Sequence, residues 1–162
     1  FLKMRDSLKW ITRKKKYFDI IAGPLLHLVH EPREWLWASS VLEPGSIFID
    51  VRAYIGGYAV RACKLGAKVI AFEPDSDSYN ILVRNLKLND CKQAEAFKIA
   101  VGEKEDVKPL FDEFVCIKPL DKIIPQLVGN NQIDPIKIDV DGYELNVFSE
   151  LRLLKKNKIF TY

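Results

Sequence analysis

The sequence is poor in the residues that mark metal-binding, disulfide-rich and membrane-spanning proteins. It has two histidines, His27 and His30, three apart beside Glu31 and Glu34. No complete tetrahedral ligand set accompanies them, so no metal site is expected. The three cysteines, Cys63, Cys91 and Cys116, are far apart and form no C-x-x-C pair. They are expected to be reduced, partly buried thiols of a cytoplasmic protein. Long apolar runs are also missing: Ile20 to Leu28 is broken by Gly23-Pro24 and a histidine, so no transmembrane helix is expected. No signal peptide is expected either. Strong charge imbalance is absent, because 25 basic side chains face 22 acidic ones, and a net charge of +3 does not by itself imply nucleic acid. Repeats and low-complexity tracts are absent.

What is present fits one domain with a substantial core, since 48% of the 162 residues are hydrophobic. The sequence opens on Phe1, and residues upstream of it are expected. Two parts are expected: a basic helical extension over residues 1–42 and an α/β domain over 43–162. Residues 1–22 space Leu8, Ile11, Phe18 and Ile21 as a helix and carry Lys3, Arg5, Lys9, Arg13, Lys14, Lys15 and Lys16. Such a face suits contact with nucleic acid or an anionic surface, but a solvated face that aids solubility is the favoured reading. Trp10, Trp35 and Trp37 are expected in the core or at a docking surface.

From residue 32 onward, strand and helix patterns alternate. A short helix near Pro32 should carry Trp35, Leu36 and Val41 inward. Ile47, Phe48 and Ile49 have the character of a strand buried on both faces, with Asp50 at its carboxyl end. Gly56 and Gly57 open the next helix, to about Leu65, and Gly66 stops it. The strand Lys68 to Glu73 follows, then a helix over 75–89 with Tyr79, Leu82, Val83 and Leu86 on one face. Strands are expected at 96–101, 115–117, 136–140 and 159–162, and helices at 120–128 and 142–155. This order predicts a Rossmann-like, doubly wound, mostly parallel sheet with helices on both faces. Glu73 lies about twenty residues after the first strand, where a carboxylate can hold the hydroxyls of an adenosine ribose.

Four segments resemble the FkbM-type methyltransferases, a branch of the class I S-adenosylmethionine-dependent fold. They are F-I-D-V-R-A-Y-I-G-G-Y from Phe48, K-V-I-A-F-E-P-D from Lys68 with N-L-K-L-N closing the helix, A-V-G-E from Ala100, and I-K-I-D-V-D-G-Y-E from Ile136. The resemblance covers about Glu43 to Leu154. It implies S-adenosylmethionine as cofactor and O-methylation of a hydroxyl on a small molecule or sugar. By position it implies that Asp50 orders the glycine loop near the amino-acid end of the cofactor, that Gly56 allows close backbone approach, that Ala53 and Tyr54 bind the cofactor and that Glu73 holds the ribose. Asp75, Ile99 and Ala100 would border the adenine. Asp139 would assist the acceptor's proton, with Glu144 or Asp141 as further candidates.

Arg52 stands where the family has glycine, and Tyr54 where it has asparagine or histidine. An arginine there either pairs with an acid such as Glu73 or Asp139, or fills the cofactor's space and abolishes binding. The alternative function is therefore a non-catalytic methyltransferase-like module for binding or assembly. An NAD-linked reading is disfavoured, because Gly56, Gly57 and Gly66 do not form G-x-G-x-x-G. Class I enzymes continue through two strands after the fifth, so the last strand is expected at an open sheet edge, an association hazard unless further residues or an oligomer partner cover it.

Overall fold

A computed structural model describes residues 32–129, 131–139 and 159–161 of the protein. The order is α1 (Pro32–Val41), β1 (Ile47–Val51), α2 (Gly57–Lys64), β2 (Lys68–Phe72), α3 (Ser76–Leu88), β3 (Ala94–Phe97), β4 (Ala100–Val101), β5 (Asp106–Leu110), β6 (Glu113–Lys118), α4 (Leu120–Val128), β7 (Ile136–Ile138) and β8 (Ile159–Thr161). The expected helices over 1–22 and 142–155 lie outside the described residues.

A five-stranded sheet runs β3-β2-β1-β7-β8, with every pairing parallel. β1 is buried along its whole length, as expected of a central parallel strand whose two faces are both covered. Successive side chains of a strand point to opposite faces, so β1 divides its residues between two cores. Phe48 joins Ala38, Leu42, Ala59, Ala62, Val69 and Leu82 in a cluster built from α1, α2 and α3. Ile47, Ile49 and Val51 join Ile70, Phe72, Leu120, Ile124, Ile136 and Ile138 beneath α4. Helices therefore cover both faces, as the alternating pattern predicts. β3 and β8 are the sheet edges among the described residues.

Five expectations need correction. Leu36 does not point inward: it is 54% exposed, and the buried positions of this segment are Ala38 and Leu42, one helical turn apart. The strand expected over 96–101 is two, because the chain leaves the main sheet after Phe97, and Ala100–Val101 pairs with β6 in a separate three-stranded sheet ordered β4-β6-β5. Val83, expected on the inward face of α3 with Tyr79, Leu82 and Leu86, is 39% exposed. β5 carries no inward pattern because every residue in it is exposed, and it is held instead by its antiparallel ladder with β6. Phe111 and Asp112 make the intervening two-residue turn with φ of 55° and 61°, the backbone of a type I′ hairpin.

The fifth correction concerns cysteine. Cys63 and Cys91 form a disulfide, and Cys116 is free and exposed. Their separation of 28 residues gave no local signal, but the last turn of α2 and the loop after α3 converge so that the two Cα atoms lie 5.8 Å apart.

Candidate donor site at the strand ends

The carboxyl ends of β1, β2 and β7 bring together Asp50, Glu73, Lys137 and Asp139. β1 passes into a turn whose backbone alternates in handedness. Arg52 has φ of 59°, Tyr54 has 52° and Gly56 has 91°. The turn is anchored at three points. Ala53 N–H donates to the Phe72 carbonyl at 2.9 Å, Gly56 N–H to the Ala53 carbonyl at 2.9 Å, and the buried Asn85 Nδ2 to the Ile55 carbonyl at 2.8 Å. Arg52 and Tyr54 thus take the left-handed conformation at some steric cost, of order 1–2 kcal/mol per residue. Arg52 adopts the left-handed backbone that glycine takes most readily.

Glu73 closes the other side. Its Oε2 accepts from Tyr54 N–H at 2.7 Å and its Oε1 from Asp75 N–H at 2.9 Å. A carboxylate offers about four lone-pair positions, so each oxygen retains acceptor capacity for one further donor. Two vicinal hydroxyls need that number, so Glu73 fits the ribose of an adenosine cofactor. Burial pushes the Glu73 carboxyl up, against the two backbone donors from Asp75 and Tyr54 and the weaker pull of the Arg52 charge.

Asp50 is fully buried and faces α2. Burial raises its carboxyl, and the adjacent Lys137 ammonium is the largest opposing influence. Lys137 Nζ lies 3.3 Å from Asp50 Oδ1 and 3.7 Å from Asp139 Oδ2. It also donates to the Arg52 carbonyl at 3.1 Å and sits 5.4 Å from the centroid of the Tyr58 ring. The Ala59 backbone also favours the Asp50 carboxylate, and at 3.3 Å the Lys137 contact is an ion pair rather than a well-directed hydrogen bond.

Sequence reasoning missed Lys137. A signal was available: lysine is the only charged residue of I-K-I, as aspartate is of I-F-I-D-V, and aligned parallel strands place the two side by side.

The remaining sequence candidates are distributed as follows. Asp139 follows β7 and is one-third exposed, so it can meet a bound acceptor. Tyr54 is 40% exposed at the mouth of the turn, whereas Ala53 is buried. The Asp75 carboxylate caps α3, accepting from Ser78 N–H at 3.0 Å and Ser78 Oγ at 2.6 Å, while its own N–H supports Glu73. Ala100 is half-buried at the start of β4. Asp141 and Glu144 lie outside the described residues, as do His27 and His30.

Beyond Asp75, the hairpin is clasped to α3. Glu113 accepts from Ser76 N–H at 2.9 Å, Ser76 Oγ at 2.7 Å and Lys98 Nζ at 2.9 Å. These donors hold the Glu113 carboxyl down to about 2. An open cavity of about 500 Å³ lies between the start of α3 and Phe111 to Glu113.

Among the described residues, no helix is long and apolar enough to cross a membrane. No curated protein matches the chain. Solved structures do match it. An rRNA methylase from Streptococcus thermophilus is 15% identical with a TM-score of 0.54, over 88% of this chain and 74% of that one. A precorrin-6y C5,15-methyltransferase from Geobacter metallireducens is 15% identical with a TM-score of 0.56, over 94% and 67%. A SAM-dependent methyltransferase from Agrobacterium tumefaciens is 14% identical with a TM-score of 0.53, and this chain spans 37% of its length. These likenesses establish the fold as the Rossmann-like α/β fold of class I methyltransferases. The methyltransferase FkbM domain model matches residues 50–161, which hold the Asp50 turn, Glu73, Lys137 and Asp139. The chain belongs to the FkbM methyltransferase domain family.

Proposed function

We propose that this chain is an S-adenosylmethionine-dependent methyltransferase that methylates a hydroxyl of a small molecule or sugar. The observation that carries this reading is Glu73, a buried carboxylate at the end of β2 that is oriented by two backbone donors and retains two acceptor positions. When bound, S-adenosylmethionine supplies an activated methyl group on sulfur. The protein's task is then to align donor and acceptor and to manage one proton. Glu73 holds the ribose, the Asp50 turn receives the amino-acid end, and Asp139 accepts the proton that the acceptor hydroxyl loses as its oxygen forms the new bond to carbon.

Arg52 favours a second reading, in which the domain keeps the fold without catalysis and serves as a binding or assembly module. Its charge acts on Glu73, the residue meant for the ribose. Calorimetric titration of S-adenosylmethionine and S-adenosylhomocysteine into the protein separates the two. Micromolar binding supports the enzyme. No binding, with binding gained in an Arg52→Gly, Tyr54→Asn variant, supports the module. No binding in either form rejects a donor site.

The acceptor class rests on family resemblance, and a screen of hydroxylated acceptors with radiolabelled donor tests it. For location, the Cys63–Cys91 disulfide supports an oxidising compartment over the cytoplasmic expectation. Alkylation of thiols in intact cells before extraction distinguishes these.

A further inference from the structure

We propose that Lys137 is a positioning residue of the donor site: acting through Asp50, it fixes the carboxylate and the turn that receive the donor's amino-acid end. The inference rests on the donor reading above and goes beyond it by assigning the residue that organises the site.

Lysine is out of place in a central strand. β7 lies between β1 and β8, and its other two residues, Ile136 and Ile138, are buried under α4. Lys137 projects to the opposite face, where it is 4% exposed. A well-packed apolar residue at such a place often serves folding as well as or better than an ion pair, because both charges must leave water. Keeping a charge there is therefore explained by what the charge touches.

Every contact of the ammonium described above belongs to the strand ends. Asp50 and Asp139 are the acids that end β1 and follow β7. The Arg52 carbonyl is the first acceptor of the turn, and Tyr58 opens α2. An ammonium has three donors in roughly tetrahedral directions, so it can address the carboxylate and the turn together. Holding the Arg52 carbonyl sets the orientation of the following peptides, including the Tyr54 N–H that reaches Glu73. The Lys137 charge opposes the rise that burial imposes on the Asp50 carboxyl, and so favours negative charge there for a donor whose amino-acid end carries an ammonium. Lys137 thus links the ribose acid to the amino-acid subsite through the Arg52 carbonyl and Asp50.

The test is a double-variant cycle read by S-adenosylhomocysteine affinity, using Lys137→Met, Asp50→Asn and the combination, with urea unfolding measured in parallel. Lys137→Met and Asp50→Asn should each weaken binding at least tenfold, and the combination should match the weaker single variant within about twofold. Losses that multiply, or an unchanged affinity of folded Lys137→Met, overturn the proposal, since a purely structural lysine would move the urea midpoint alone. If Lys137→Met does not fold, the comparison is Asp50→Asn against the combination. A difference under about twofold supports action through Asp50, and a further tenfold loss overturns it. Absence of binding by the unmodified protein removes the donor reading and this inference together. Normal binding with independent variants removes this inference alone.

Discussion

Asp50 and Lys137 are register partners across β1 and β7, and their side chains meet 3.3 Å apart on the same buried face of the sheet. Two strands, far apart in sequence, each carry one charge among apolar neighbours, and parallel pairing sets those charges side by side. A slip of one residue would send Lys137 to the face beneath α4, among Ile49 and Ile124, with no partner there. The ion pair therefore specifies strand register as well as the site. Removing one partner leaves the other buried and uncompensated, so Lys137→Met should cost about 3–5 kcal/mol in urea unfolding at neutral pH. Asp50→Asn with Lys137→Met should cost clearly less than Lys137→Met alone. A loss in the double variant equal to the sum of the two single losses would mean that the pair is not coupled.

Gly56 is required twice over. Its φ of 91° suits glycine, and a Cβ built there would lie 2.7 Å from Leu82 Cδ1. Gly56→Ala should therefore force the buried Leu82 side chain or the turn to shift, destabilise the protein by about 1–3 kcal/mol and weaken S-adenosylhomocysteine binding. Gly45, with φ of 89° and no neighbour within 4 Å, is the control: alanine there meets backbone strain alone. An equal effect on ligand affinity at both positions would contradict the packing argument.

The Cys63–Cys91 disulfide closes a loop of 28 residues between α2 and the end of α3. Replacing both cysteines by serine should lower stability by about 3–4 kcal/mol, from the conformational freedom regained by the unfolded chain. Denaturant unfolding with and without reductant measures this. Reductant should shift the midpoint of the parent protein and leave the serine variant unmoved.

Glu113 links the hairpin to α3 through Ser76 and Lys98, and its carboxyl is held down to about 2 against an ordinary 4.5. Between those values the folded protein binds fewer protons here than the unfolded chain. The clasp's contribution is thus complete above pH 4.5 and is lost as pH falls through about 2. The Ser76 amide resonance followed against pH should move only near the lower value. A midpoint near 4.5 would show that Glu113 is not clasped in solution.

Much of the architecture is written in local pattern. The apolar run Ile47–Ile49, the 3- and 4-residue spacing of Tyr79, Leu82 and Leu86, and glycines after helices announce strands and helices because they depend on the chain's own periodicity. Asp50, Glu73 and Asp139 were legible as strand-end acids for the same reason: each sits at or just beyond a recognisable strand end. β5 was illegible because an exposed strand containing Pro109 has no inward face to show, and its pairing with β6 supplies the signal that the residues lack. Asp75 illustrates a division of roles that sequence does not express, since its carboxylate caps α3 while its backbone serves Glu73.

The order of elements, the parallel α/β class and the acids at the strand ends are written in local pattern, because hydrophobic periodicity and turn chemistry act within a few residues. Long-range packing was needed to set Lys137 beside Asp50, to bring Cys63 to Cys91 and to clasp Glu113 on Ser76. Those three contacts join positions 87, 28 and 37 residues apart, and distance along the chain carries no trace of proximity until strands align and helices pack.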